Sequence, residues 1–157
     1  MKINKLMPIA FAGIILLTAC AKKTDTTTSV SFSTTPAMTA TISGVAWSGD
    51  NVSATSASIG TTNVLNISGY SYATGNSVAL AVPDNVTPGT YTVNGSTYTL
   101  TYNKNSSTYY IASSGTITIT NYANSYINGN FQGTVVNTKN ASDKVTITNG
   151  TFTAKVQ

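Results

Sequence analysis

From Ala37 to the C-terminus, apolar residues recur at every second position, and this alternation confines the chain to β-structure. Leu65 and Ile67 alternate with Asn66 and Ser68, and Tyr98, Leu100 and Tyr102 alternate with threonines. Ile117 and Ile119 alternate with Thr116, Thr118 and Thr120. Phe131, Gly133 and Val135 share a face, as do Val145 and Ile147, and again Phe152, Ala154 and Val156. A period of two places successive side chains on opposite faces of a strand. The 3.6-residue period of a helix is absent from this region. Val78-Ala79-Leu80-Ala81-Val82 is apolar throughout and predicts a central strand covered on both faces.

Turn chemistry sets the connections. Asn94-Gly95 and Asn149-Gly150 each lie between β-rich runs, the pattern of a two-residue type I′ hairpin. Ser43-Gly44 is a turn or bulge before Trp47, and Asn128-Gly129 is read as either one. Pro83-Asp84-Asn85 and Pro88-Gly89 bracket a longer loop. About nine or ten short strands joined by hairpins specify an all-β fold, either an antiparallel β-sandwich or a closed meander barrel. Periodicity does not separate the two. The expected inward positions are Leu65, Ile67, Val78, Leu80, Val82, Leu100, Ile117, Ile119, Phe131 and Val135. Their mid-sized side chains predict a filled interior.

The N-terminus reads differently. Lys2 and Lys5 precede an uncharged apolar stretch from Leu6 to Leu17, too short to span a bilayer comfortably, and Leu17-Thr18-Ala19-Cys20 follows. This tetrapeptide resembles the lipobox of bacterial lipoproteins. The resemblance implies cleavage before Cys20, acylation of that cysteine and attachment to a membrane through the lipid. One acyl chain binds a membrane only marginally, so stable anchoring takes two or more. Residues 1–19 are thus expected to be a lipoprotein signal peptide. Residues 20–38, rich in Thr and Ser, form a tether that cannot offset its own ordering entropy. Residues 39–157 form a single all-β domain.

The inventory excludes more than it suggests. The chain has no His, Glu or Arg, and Cys20 is its one cysteine. Acid–base catalysis near neutral pH usually falls to His or a tuned Glu, and zinc sites draw on His and Cys. The expectation is therefore a non-enzyme without catalytic residues, metal or cofactor. Two of the eight lysines belong to the signal, which leaves six against four aspartates, scattered rather than clustered. A nucleic-acid partner is not expected from such a distribution.

Four segments together resemble a family of Bacteroidota lipoproteins with an all-β domain of unknown function. They are Met38-Thr39-Ala40-Thr41-Ile42-Ser43-Gly44-Val45-Ala46-Trp47, Val82-Pro83-Asp84-Asn85-Val86-Thr87-Pro88-Gly89-Thr90-Tyr91, Ser114-Gly115-Thr116-Ile117-Thr118-Ile119-Thr120 and Ile147-Thr148-Asn149-Gly150-Thr151-Phe152. The resemblance implies a cell-envelope location, at the outer membrane in preference to the inner, and no particular activity. Asp25-Thr26-Thr27 is similar to the O-glycosylation site of such bacteria, which makes Thr26 a candidate for modification.

Candidate contacts are few. All nine tyrosines lie between Tyr70 and Tyr126, and exposed ones offer a flat apolar face with a polar tip. Tyr109 and Tyr110 are both candidate ligand contacts, and as they must face opposite sides of a common strand, at least one is expected to point outward. Asp50, Asp84 and Asp143 lack the Asp-x-Asp spacing of a calcium loop and read as turn residues. Trp47 reads as core, and Lys139, Lys144 and Lys155 as solvated edge charges. The functional expectation is a membrane-anchored, non-enzymatic module for a protein or glycan partner. The alternative is a lipocalin-like barrel holding a small apolar ligand.

Overall fold

A computed structural model describes residues 32–59 and 62–157. The described residues form ten strands and no helix: β1 (Ala37–Ile42), β2 (Val45–Gly49), β3 (Asn51–Ile59), β4 (Thr62–Ser71), β5 (Asn76–Pro83), β6 (Gly89–Thr92), β7 (Thr99–Asn105), β8 (Thr108–Ala123), β9 (Tyr126–Asn137) and β10 (Asn140–Lys155). They make one antiparallel sheet, ordered β2-β1-β10-β9-β8-β7-β5-β4-β3, with β6 paired to β8. The sheet curls into a half-barrel around a single core. Of the two architectures left open by the sequence, the meander barrel is the nearer, because no second sheet is present among the described residues. The strands are not uniformly short, since β8 and β10 run for 16 residues each.

The two edge strands, β2 and β3, are separated in sequence by Asp50 alone. One stretch of chain therefore leaves β1 and joins β4, bringing the two sheet edges together. The Asp50 amide already donates to the Tyr70 carbonyl at 2.8 Å, and Trp47 packs over Gly49 and Gly69 where the edges meet. Further along, Ala54 bridges Val156, and the Gln157 amide donates to the Ala54 carbonyl at 3.0 Å.

All ten expected inward residues are buried. Met38, Trp47, Ile127, Ile147 and Phe152 complete the same core. The expectation for Val78–Val82 requires correction. Val78, Leu80 and Val82 are buried, but Ala79 and Ala81 face outward and stay half-buried. The run is apolar because its outward positions are alanines, and the described residues leave that face uncovered.

Both Asn-Gly hairpin readings are also corrected. β6 and β7 lie end to end along the same edge of β8, so the segment between them passes along the edge instead of folding back. Its shape comes from the Asn94 side-chain oxygen, which accepts the amides of Ser96, Thr97 and Tyr98 at 3.0, 2.9 and 3.1 Å. Asn149-Gly150 is a bulge within β10, with Asn149 at φ +52° and a register shift between Ile147 and Gly150. The two-residue turns with both φ positive are Ser43-Gly44 (+48°, +83°) and Asn124-Ser125 (+53°, +61°). Asn124-Ser125 carries no glycine, and the long β8–β9 ladder holds it in place.

Asn128-Gly129 lies inside β9, where Gly129 pairs with Phe152 across the ladder. A Cβ on Gly129 would lie 2.6 Å from the Phe152 ring and closer still to the Thr118 carbonyl. Overpacking of this kind typically costs about 1–3 kcal/mol. Gly129→Ala is expected to destabilise the domain by that amount in urea unfolding; an unchanged midpoint would show that the ring and backbone give way freely.

Candidate functional site

The turns β1–β2, β4–β5, β7–β8 and β9–β10 gather at one end of the half-barrel, while β1 begins at the other, where Ala37 pairs with Thr153. Moving towards the turn end, the inward positions change from apolar to polar. On β5 the series Val82, Leu80, Val78 ends in Asn76, and on β7 Leu100 and Tyr102 lead to Lys104. Asn137 follows Val135 on β9, and Asp143 precedes Val145 and Ile147 on β10.

Two linked sets of side chains result. The Trp47 indole N–H donates to the Asn76 side-chain oxygen, Asn76 Nδ2 donates to the Tyr102 hydroxyl at 3.2 Å, and Thr74 also donates to Asn76 at 2.6 Å. The Tyr102 and Tyr110 rings lie 5.6 Å apart at 37°. The Tyr110 hydroxyl then donates to Asp143 Oδ2 at 2.8 Å, which also accepts Asn137 Nδ2 at 2.9 Å. Val78, Tyr102, Tyr110 and Asn137 are consecutive partners in the ladder, so the register itself assembles the network.

Beside it opens a cleft of about 260 Å³, walled by Ile42, Val45, Trp47, Tyr102, Val145 and the exposed Lys104. Val45 is 69% exposed at its rim, and Tyr72 on the β4–β5 turn is 69% exposed. The combination of aromatic wall, aliphatic rim, amide and one cation suits recognition of an amphipathic group.

The Asn137 amide, followed by the Tyr110 hydroxyl, holds the Asp143 carboxyl below the usual carboxylate range. The same carboxylate, followed by burial, pushes the Tyr110 phenol above its ordinary range. A carboxyl depressed on folding stabilises the fold above its unfolded pKa, and that contribution is lost as pH falls through the folded value. A phenol raised on folding contributes below its unfolded pKa, and that contribution is lost as pH rises through the folded value.

The structure places Tyr109 and Tyr110 on opposite faces, with 39% and 1% exposure. Tyr110 belongs to the internal network and Tyr109 to the outer surface. The sequence reading passed over Asn76, Tyr102 and Asp143 as site residues, although continuing each strand's alternation to its end identifies them. Neither aspartate bonds its own turn: Asp143 accepts from the Tyr110 and Asn137 side chains, and Asp50 accepts the amide of Tyr72 on the β4–β5 turn at 2.7 Å. Trp47 is core, as expected. Cys20 and Thr26 lie outside the described residues.

A family model described as a domain of unknown function, DUF6252, matches residues 34–155. The chain belongs to the DUF6252 family. No curated protein and no solved structure matches it. The DUF6252 match spans all ten strands, and so contains both the network and the cleft.

The DUF6252 domain is expected to lose thermal stability as pH falls below about 4, the ordinary range of a carboxyl. In Asp143→Asn this acid limb should flatten when melting is followed by circular dichroism across pH. An unchanged limb would show that other carboxylates carry it.

Proposed function

We propose that this chain is a cell-envelope lipoprotein, anchored through lipid on Cys20 at the outer membrane in preference to the inner, whose DUF6252 domain is a non-enzymatic binding module. Leu17-Thr18-Ala19-Cys20 and the likeness to Bacteroidota lipoproteins support the anchor. The observation that carries the binding reading is positional. The Trp47 cleft and its exposed rim lie at the end of the half-barrel opposite the start of β1, where the inward positions turn polar.

Tyr and Trp concentrate binding energy where they can be desolvated, and a cleft with one cation, one amide and several hydroxyls supplies orientation. A partner protein inserting an amphipathic side chain fits these walls. The interior itself is occupied by the buried aliphatic and aromatic residues, which supports a rim or outer site over a ligand held inside.

Two measurements test the reading. Cys20→Ser is expected to move the protein from the membrane to the soluble fraction, and unchanged partitioning would overturn the anchor. A photo-reactive residue at Val45 in the full chain, expressed in its own cells, should give discrete crosslinks. The same residue at Thr146 on β10 should not. Equal or absent crosslinking from the two places would overturn the site.

A further inference from the structure

The outer face of β4, β5, β7 and β8 carries a second arrangement that the cleft does not use. Asn51, Tyr70, Ser77, Asn103 and Tyr109 are successive partners across five strands, β3, β4, β5, β7 and β8. The row begins to protrude at Tyr70, which is 41% exposed, and ends at Tyr109. Three strand spacings separate these tyrosines, about 14 Å. Between them Asn103 Nδ2 donates to the Ser77 hydroxyl at 3.2 Å, fixing the amide plane across two strands. Tyr72 meets Tyr70 edge-on at 5.2 Å and braces its ring.

Alongside the row runs a cleft of about 370 Å³, floored by Ala79 and Ala81 and walled by Asn66, Thr101, Asn103 and Tyr109. The alanines give the fully apolar run of β5 an open face. Its larger neighbours on β4 and β7 stand above it and make the depression.

We propose that this face binds a neutral oligosaccharide, with the Tyr70 and Tyr109 rings as platforms and Ser77 and Asn103 between them. The inference rests on the reading of the domain as a non-enzymatic binding module and adds a site separate from the Trp47 cleft. Charge selects the ligand class. β3, β4, β5 and β8 contain no charged residue, and Lys104 of β7 lies on the inward series. An ionic partner would find no counter-charge on these outer strands. The chemistry also disfavours a protein, because an interface core needs contiguous apolar area, and here Thr101 stands between Ala79 and the exposed Ile111 while hydroxyls and amides divide the rest. A sugar ring has an apolar C–H face bordered by hydroxyls. An aromatic platform beside fixed amide and hydroxyl groups matches both parts.

The test is calorimetric titration of the full chain, held in a detergent without a sugar headgroup. Neutral cello-, xylo-, manno- and malto-oligosaccharides are compared with an acidic galacturonate oligomer. At least one neutral series should bind with an affinity unchanged between low and high salt, and the acidic oligomer should not bind better. Tyr70→Ala and Tyr109→Ala should each weaken binding about tenfold, a loss of the size of one aromatic contact. Tyr109→Phe should keep most of it, and Thr146→Ala should leave it unchanged. All these positions are exposed or half-exposed, and an unaltered melting curve would verify that each variant folds. Failure of every neutral oligosaccharide to bind would overturn the proposal, as would binding indifferent to both tyrosines. Loss in Val45→Lys with both tyrosine variants unaffected would transfer the sugar to the Trp47 cleft, overturning this site while sparing the binding-module reading.

Discussion

The architecture depends on the seam where one segment of chain serves both edges of the sheet. β2 pairs with β1, β3 pairs with β4, and only Asp50 stands between them. Several contacts hold that junction: the Asp50 amide on the Tyr70 carbonyl, its carboxylate on the Tyr72 amide, and the Trp47 ring over Gly49 and Gly69. A Cβ on Gly69 would sit 3.0 Å from the Met38 sulfur and 3.1 Å from the indole, so space for the ring comes from a missing side chain. An open sheet of this length would present two rows of unpaired amides and carbonyls to other chains. The seam satisfies part of these groups, through the Asp50–Tyr70 bond, the Ala54–Val156 bridge and the Gln157–Ala54 bond.

The same seam brings the Trp47 N–H to Asn76, and from there the polar positions follow the ladder to Asp143. Buried polar groups are tolerated when their partners are fixed, and these partners are fixed by register. The network and the cleft beside it therefore follow from closing the sheet. Elsewhere the match is less complete: the Thr153 hydroxyl donates to the Asn128 oxygen at 2.7 Å, while the amide nitrogens of Asn121 and Asn128 find no partner among the described residues.

The core was legible because a period of two fixes parity without knowledge of the neighbours, and every expected inward residue kept its face. Tyr109 and Tyr110 were separated correctly for the same reason. Parity does not say what lies beyond a face, so the apolar Val78–Val82 run looked doubly covered when its alanines line an open depression. Local turn signals failed where long-range pairing outweighed them. Asn149-Gly150 has the composition of a hairpin, but β10 pairs with β1 and β9 through the bulge. The outer row of Tyr70, Ser77, Asn103 and Tyr109 comes from four separate strands. Only the register, which one sequence does not display, brings them into line.

The position of β1 has a mechanical meaning. Its first residue lies at one end of the half-barrel and its last adjoins the Trp47 cleft, with β10 on one side and β2 on the other. A load between an N-terminal attachment and a partner held at the far end would run along this strand. The ladder bonds on both flanks would then be loaded together in shear, instead of opening one after another like a zipper. Strand direction thus makes β1 the segment best placed to resist being pulled out under a load of that kind.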